Sequence, residues 1–148
     1  MKVRDLARHA LGLVLWAFSS ALVLLIVLAV RGSCLAILAA QGVDSLKIGF
    51  VEKLVVVAAG LAALCGIIGI DYYYRRGIER GVLPSRAARI VGSELLVLFA
   101  LNLSVDVAAG VPPTPRLAAA ALLVEGVGGA ALLVASIVAG ARRRSARR

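Results

Sequence analysis

Four long apolar runs, separated by short polar segments, dominate the chain. Apolar residues fill most of positions 10–30, 51–70, 87–109 and 117–140. A helix needs about 20 such residues to cross the hydrocarbon core of a bilayer. The pattern therefore predicts an all-α, integral membrane four-helix bundle, with 1–148 forming a single transmembrane domain.

The first run ends at Arg31, and the apolar residues 34–40 that follow are too few for another crossing. We expect 34–40 to extend the first helix or to lie at the membrane interface. A removed signal peptide is the alternative for the N-terminus, because 32–34 (Gly-Ser-Cys) imitates a cleavage site. The main prediction is a retained first span, because its apolar run exceeds the roughly 7–15 residues of a signal peptide.

Polar connections separate the later spans. The longest predicts a hydrophilic loop over 71–86, in which Gly81 and Pro84 interrupt the helical pattern. Tyrosines occupy 72–74, where an aromatic belt would place their rings in the headgroup layer. Three prolines within 112–115 cannot continue a helix and predict a short turn between the last two spans.

Charge assigns an orientation to these spans. The chain carries 17 Lys and Arg against 8 Asp and Glu, yet its mean hydropathy is +0.98. Thirteen of the 17 basic residues lie in three places, namely the N-terminus, the segment 71–89 and the tail 141–148. Because short cytoplasmic segments retain Lys and Arg, this distribution predicts a multi-pass protein of the cytoplasmic membrane with both termini inside.

Three acidic residues interrupt the last two spans: Glu94, Asp106 and Glu125. An acid at the bilayer centre costs about 2.5–3.5 kcal/mol on insertion scales and is a candidate functional residue by default. At ~1.5 Å rise per residue, Asp106 lies within about a turn of the outer membrane face. The two glutamates lie roughly 10–12 Å inside opposite faces and are the candidates for burial.

Two interpretations of these acids remain open. Arg31 could pair with Asp106, and Arg86 or Arg89 could pair with Glu94, which would make the acids packing and orientation groups. Without such partners, the two glutamates would suit the handling of protons or cations.

One face of the fourth span combines polar and small residues. Glu125, Gly129 and Ser136 fall within about 40° of one another at 100° per residue. We expect this face to point into the bundle or into a dimer contact.

The residue inventory argues against catalysis. The single histidine, His9, cannot form a bis-histidine haem site within one chain, and Cys34 and Cys65 are too far apart in depth for a disulfide. Ser19 and Ser20 can bond to their own helix and have no histidine base nearby. We therefore predict a protein that is not an enzyme and that has no cofactor or metal.

Arginines at the membrane surface are candidates for contact with anionic lipid headgroups, each worth about 1 kcal/mol. The short basic tail offers no fold for reading bases, so we expect no nucleic-acid partner. The candidate headgroup residues are Arg75, Arg76, Arg142, Arg143 and Arg144.

Several segments carry a family resemblance. They are Val51-Glu52 with Leu54-Val55-Val56, the Tyr/Arg stretch after them, Pro84, and the run from Glu94-Leu95-Leu96 to Asp106. In these segments the chain resembles the phosphate-starvation-inducible PsiE family of small four-span membrane proteins. The resemblance implies a cytoplasmic-membrane protein of uncharacterised activity.

Together, these patterns predict a small accessory or structural membrane protein that forms a homo-oligomer or joins a larger membrane complex. The alternative is a small proton- or cation-coupled transporter or channel that uses Glu94 and Glu125. With one Gln and one Asn in the chain, the composition indicates a prokaryotic source.

Overall fold

The structure is a computed structural model that describes residues 3–109 and 116–145. All four of its helices are long and apolar enough to cross a membrane, and no β-strand occurs in the described ranges. The predicted all-α four-helix bundle is confirmed. The predicted proline turn at 112–115 lies outside the described residues. The helices are α1 (Val3–Ala40), α2 (Ser45–Glu79), α3 (Leu83–Ala109) and α4 (Arg116–Ser145).

Glycine ends the first two helices in the same way. Gly42 and Gly81 have φ of 66° and 64°, a left-handed conformation that costs glycine little. In each turn the next amide bonds to the carbonyl five residues earlier, which is the Schellman arrangement. These bonds run from Val43 to Leu38 and from Val82 to Gly77. Residues 34–40 therefore extend α1.

The connection between α2 and α3 differs from the expected loop over 71–86, because α2 continues to Glu79 and α3 begins at Leu83. Tyr74 packs with Leu83 and Ala87 in a buried cluster, which holds the end of α2 against the start of α3. Pro84 lies in the first turn of α3, where the missing N–H of proline breaks no helical hydrogen bond.

The helices pack in an unequal arrangement. Helix α1 lies against both α2 and α3, whereas α4, over its described residues, contacts α3 alone. The predicted polar and small face of α4 is turned toward α3, since Gly129 and Ser136 are buried there and Glu125 is partly buried. The outer face of α4 remains apolar and exposed.

Candidate functional site

Glu94 is the most unusual residue of the described chain. It lies on α3 with 6% of its surface exposed. Neither carboxylate oxygen has a partner at hydrogen-bond distance and angle among the described residues. Most buried polar groups in proteins are hydrogen-bonded, and a buried unpartnered carboxyl is costly. Glu94 is therefore the strongest candidate for a functional group.

Two hydroxyl groups from neighbouring helices interact with this carboxyl. Ser19 of α1 and Tyr74 of α2 are joined by a buried hydrogen bond of 2.9 Å between their side-chain oxygens. They are 0% and 2% exposed. The Ser19 hydroxyl is close enough to interact with the Glu94 carboxylate without meeting hydrogen-bond geometry, and Tyr74 interacts with Glu94 electrostatically. Three helices thus converge on one polar cluster.

Glu94 has no arginine partner in the described structure, unlike the pairing considered from the sequence. Arg86 instead donates from Nη1 to the Tyr73 carbonyl at 2.7 Å. Its guanidinium carbon lies 4.3 Å from the Tyr73 ring centroid. Arg89 is exposed on α3. The continuation of α2 to Glu79 explains this difference, because it brings Tyr73 within reach of Arg86.

The pairing of Arg31 with Asp106 is also replaced. Arg31 bonds from Nε to Oε1 of Glu52 at 2.7 Å, which joins α1 to the start of α2. Helix α1 extends past Arg31 and runs alongside α2, so Glu52 becomes its neighbour. Asp106 is partly buried near the end of α3.

Glu125 has a partner and so differs from Glu94. Asn102 of α3 donates from Nδ2 to Glu125 Oε2 of α4 at 2.9 Å, in a partly buried position. The two glutamates that the sequence presented as equivalent thus separate into a paired group and an unpaired one.

A cleft of about 610 Å³ opens between the start of α1 and the end of α2. Tyr74 forms part of its wall, so the buried cluster borders a polar space. Asp71 in this cleft pairs with Arg75 at 2.8 Å. The polar residues that line the cleft are Arg8, His9, Asp71, Tyr74, Arg75 and Glu79.

The arginines predicted at the lipid surface occupy two settings. Arg75 and Arg76 are exposed near the end of α2, and the Arg76 guanidinium carbon lies 5.0 Å from the Tyr72 ring centroid. Arg142, Arg143 and Arg144 lie at the end of α4, and their side chains lie outside the described part of the chain.

Sequence reasoning missed the roles of Ser19 and Tyr74. The sequence predicts that Ser19 can bond to its own helix and that Tyr74 lies among the headgroups, yet the two side chains form a buried hydrogen bond with each other. The signal available in the sequence was a hydroxyl in the middle of one span and a tyrosine at the end of the next. Predicting that these two side chains meet requires the register of α1 against α2, which cannot be derived from the sequence.

Comparison with protein-family models, with curated proteins and with solved structures found no match. The resemblance to the PsiE family therefore stays a prediction.

Proposed function

We propose that this small multi-pass membrane protein binds and releases a proton at Glu94, as the coupling site of a small proton-coupled carrier or channel. The observation that carries the proposal is the burial of the Glu94 carboxyl with no hydrogen-bond or ion-pair partner among the described residues. Intramembrane acids in such settings mark proton relays and ion pathways.

A proton fits this site better than a metal cation. Ca²⁺ takes about 6–8 oxygen ligands and Mg²⁺ demands six in octahedral geometry, whereas a proton needs one carboxylate oxygen. The polar groups that interact with Glu94 include two neutral hydroxyl groups, from Ser19 and Tyr74. Loss of the proton would leave a buried charge without a cation beside it, so protonation is energetically coupled to the packing of α1, α2 and α3.

The test is proton flux into proteoliposomes that contain a pH-sensitive dye, driven by a potassium diffusion potential. Native protein should conduct protons faster than empty vesicles, and Glu94→Gln should lose most of that flux. Glu125→Gln is the matched control, because Glu125 is already held by Asn102. Equal flux in native protein and in the Glu94→Gln variant would contradict the proposal.

A second function is favoured by the packing of α4, namely an accessory or structural role through self-association or entry into a larger membrane complex. Over its described residues, α4 has α3 as its single neighbour. A groove of about 1150 Å³ with an apolar lining runs along these two helices and includes Leu96, Phe99 and Val127. Native purification in mild detergent, with particle mass and co-purifying proteins identified by mass spectrometry, tests this role; a monomer without partners would count against it.

The proposed location is the cytoplasmic membrane, with the 80–82 turn and both termini on the cytoplasmic side. The support for this orientation is the concentration of Lys and Arg in the N-terminal segment, the 71–89 segment and the tail.

A further inference from the structure

The polar cleft described above lies at one end of the bundle, where α1 begins and α2 ends beside the 80–82 turn. Ionisable side chains line it, including His9, Asp71 and Glu79. Imidazole and carboxylate groups are the side chains that most often take up and pass on protons in proteins. The cleft therefore supplies proton donors and acceptors at this end of the molecule.

Tyr74 connects the cleft to the interior. Tyr74 is one of the residues that line the cleft, although only 2% of its surface is exposed. Its hydroxyl lies 2.9 Å from the hydroxyl of Ser19, and Ser19 lies beside the carboxylate of Glu94. A hydroxyl both donates and accepts a hydrogen bond, so the two groups can act in series.

We propose that protons reach Glu94 from this cleft through the hydroxyl groups of Tyr74 and Ser19, an inference that rests on the proposed proton-binding function of Glu94. A donor in the cleft gives a proton to Tyr74 Oη, whose own hydrogen passes to Ser19 Oγ. The hydrogen of Ser19 then passes to the Glu94 carboxylate. The donor loses one proton and Glu94 gains one, while both hydroxyl groups end neutral and reoriented.

Three other polar side chains, on α1 and α4, do not join the hydrogen bond between Ser19 and Tyr74. Helix α1 also contributes Ser20, whose buried hydroxyl has no partner there. Helix α4 contributes Glu125, which is held by Asn102 further along α3. Toward the opposite end of the bundle, the buried Ser33 hydroxyl donates to the Leu101 carbonyl, which removes its hydrogen from any relay. We therefore expect protons to reach Glu94 from the cleft side.

The experiment follows protonation of Glu94 by the infrared band of its neutral carboxyl after an acid jump, in proteoliposomes of known protein orientation. An acid jump on the cleft side should produce the band quickly, and a jump on the other side should produce it slowly. Tyr74→Phe and Ser19→Ala each remove one relay hydroxyl and should slow the cleft-side reaction by about tenfold or more. Neither variant should change the final size of the band.

Two matched controls separate the relay from general packing. Tyr73→Phe removes a neighbouring tyrosine hydroxyl, and Ser20→Ala removes the adjacent serine hydroxyl. Both should keep the native rate. Should Tyr74→Phe fail to fold, Ser19→Ala decides the question alone.

The outcomes distinguish the inference from the function on which it rests. The Glu94 band is the neutral-carboxyl band that native protein shows and the Glu94→Gln variant lacks. If no such band is found at any pH, the proton-binding function itself is overturned. A normal Glu94 band with native rates in Tyr74→Phe and Ser19→Ala, or equal rates from both sides, would overturn the route and leave Glu94 as a proton site.

Discussion

Gly92 of α3 and Gly129 of α4 bring the backbones of their helices into direct contact. A Cβ added to Gly92 would lie 2.9 Å from the Gly129 carbonyl oxygen, and one added to Gly129 would lie 3.0 Å from the Gly92 carbonyl oxygen. Small residues permit such close approach, which is a main source of helix association in membranes. Because α4 packs on α3 alone in its described part, this contact is part of the single interface that holds α4.

We expect Gly92→Ala to loosen α4 from α3. The new methyl group would meet a backbone oxygen and the Leu133 amide, which cannot move aside as a flexible side chain can. Overpacking of this kind costs about 1–3 kcal/mol. Thermal unfolding in detergent should therefore show a lower midpoint for Gly92→Ala, and for Gly129→Ala as well.

Gly128→Ala is the control for both glycine variants, because a Cβ there would meet nothing within 4 Å. Alanine has a higher helix propensity than glycine by about 1 kcal/mol, so this control should be neutral or stabilising. A midpoint for Gly92→Ala as high as that of Gly128→Ala would show that the helices can separate at no cost.

Glu94→Met should stabilise the protein while abolishing proton uptake. Methionine is unbranched and close to glutamate in shape, so it removes the buried unpartnered carboxyl without leaving a large cavity. An unsatisfied buried polar group costs about 1–3 kcal/mol, and the unfolding free energy should rise by up to that amount. Ser19 keeps Tyr74 as its partner in this variant.

The matched change Glu125→Met should lower the free energy of unfolding, since it leaves the amide of Asn102 without its hydrogen-bond acceptor. Unfolding of both variants by a denaturing detergent gives the comparison. A loss of stability in Glu94→Met equal to that in Glu125→Met would mean that Glu94 is a structural group.

The hydrogen bond between Asn102 and Glu125 should make a modest contribution to the free energy of unfolding. Side-chain hydrogen bonds between membrane helices average about 0.6 kcal/mol in double-mutant cycles, with a maximum near 1.7 kcal/mol. A cycle of Asn102→Leu and Glu125→Met should give a coupling energy in that range. Ser104→Ala serves as the control, because its hydroxyl bonds to the Leu101 carbonyl of its own helix. If the coupling energy between Ser104→Ala and Glu125→Met is as large as that between Asn102→Leu and Glu125→Met, the effect comes from general packing and not from the hydrogen bond.

The helices were predictable from sequence because the spacing of apolar runs depends on local composition. The exact ends of the helices are harder to predict. The sequence predicts a loop over 71–86, yet residues 71–79 are helical, and Tyr74 within them packs against α1 and α3. Glu94 was identified as a candidate from its residue type and depth alone. Its lack of an arginine partner was not predictable, since it depends on Arg86 reaching Tyr73 across the turn.

The orientation of the chain gives the last prediction. Helix α2 has 35 residues and spans about 50 Å at ~1.5 Å per residue, which is long enough for its two ends to lie on opposite sides of a membrane. In a chain with Cys34 and Cys65 replaced by alanine, we place single cysteines at Ser45 and at Val82, positions that leave every charge intact. Ser45→Cys should react with an impermeant maleimide added to intact cells, because the positive-inside distribution places that end outside. Val82→Cys should react only after the membrane is permeabilised. The reverse pattern would place the cleft that leads to Glu94 on the outer face, so that protons would enter the route from outside the cell.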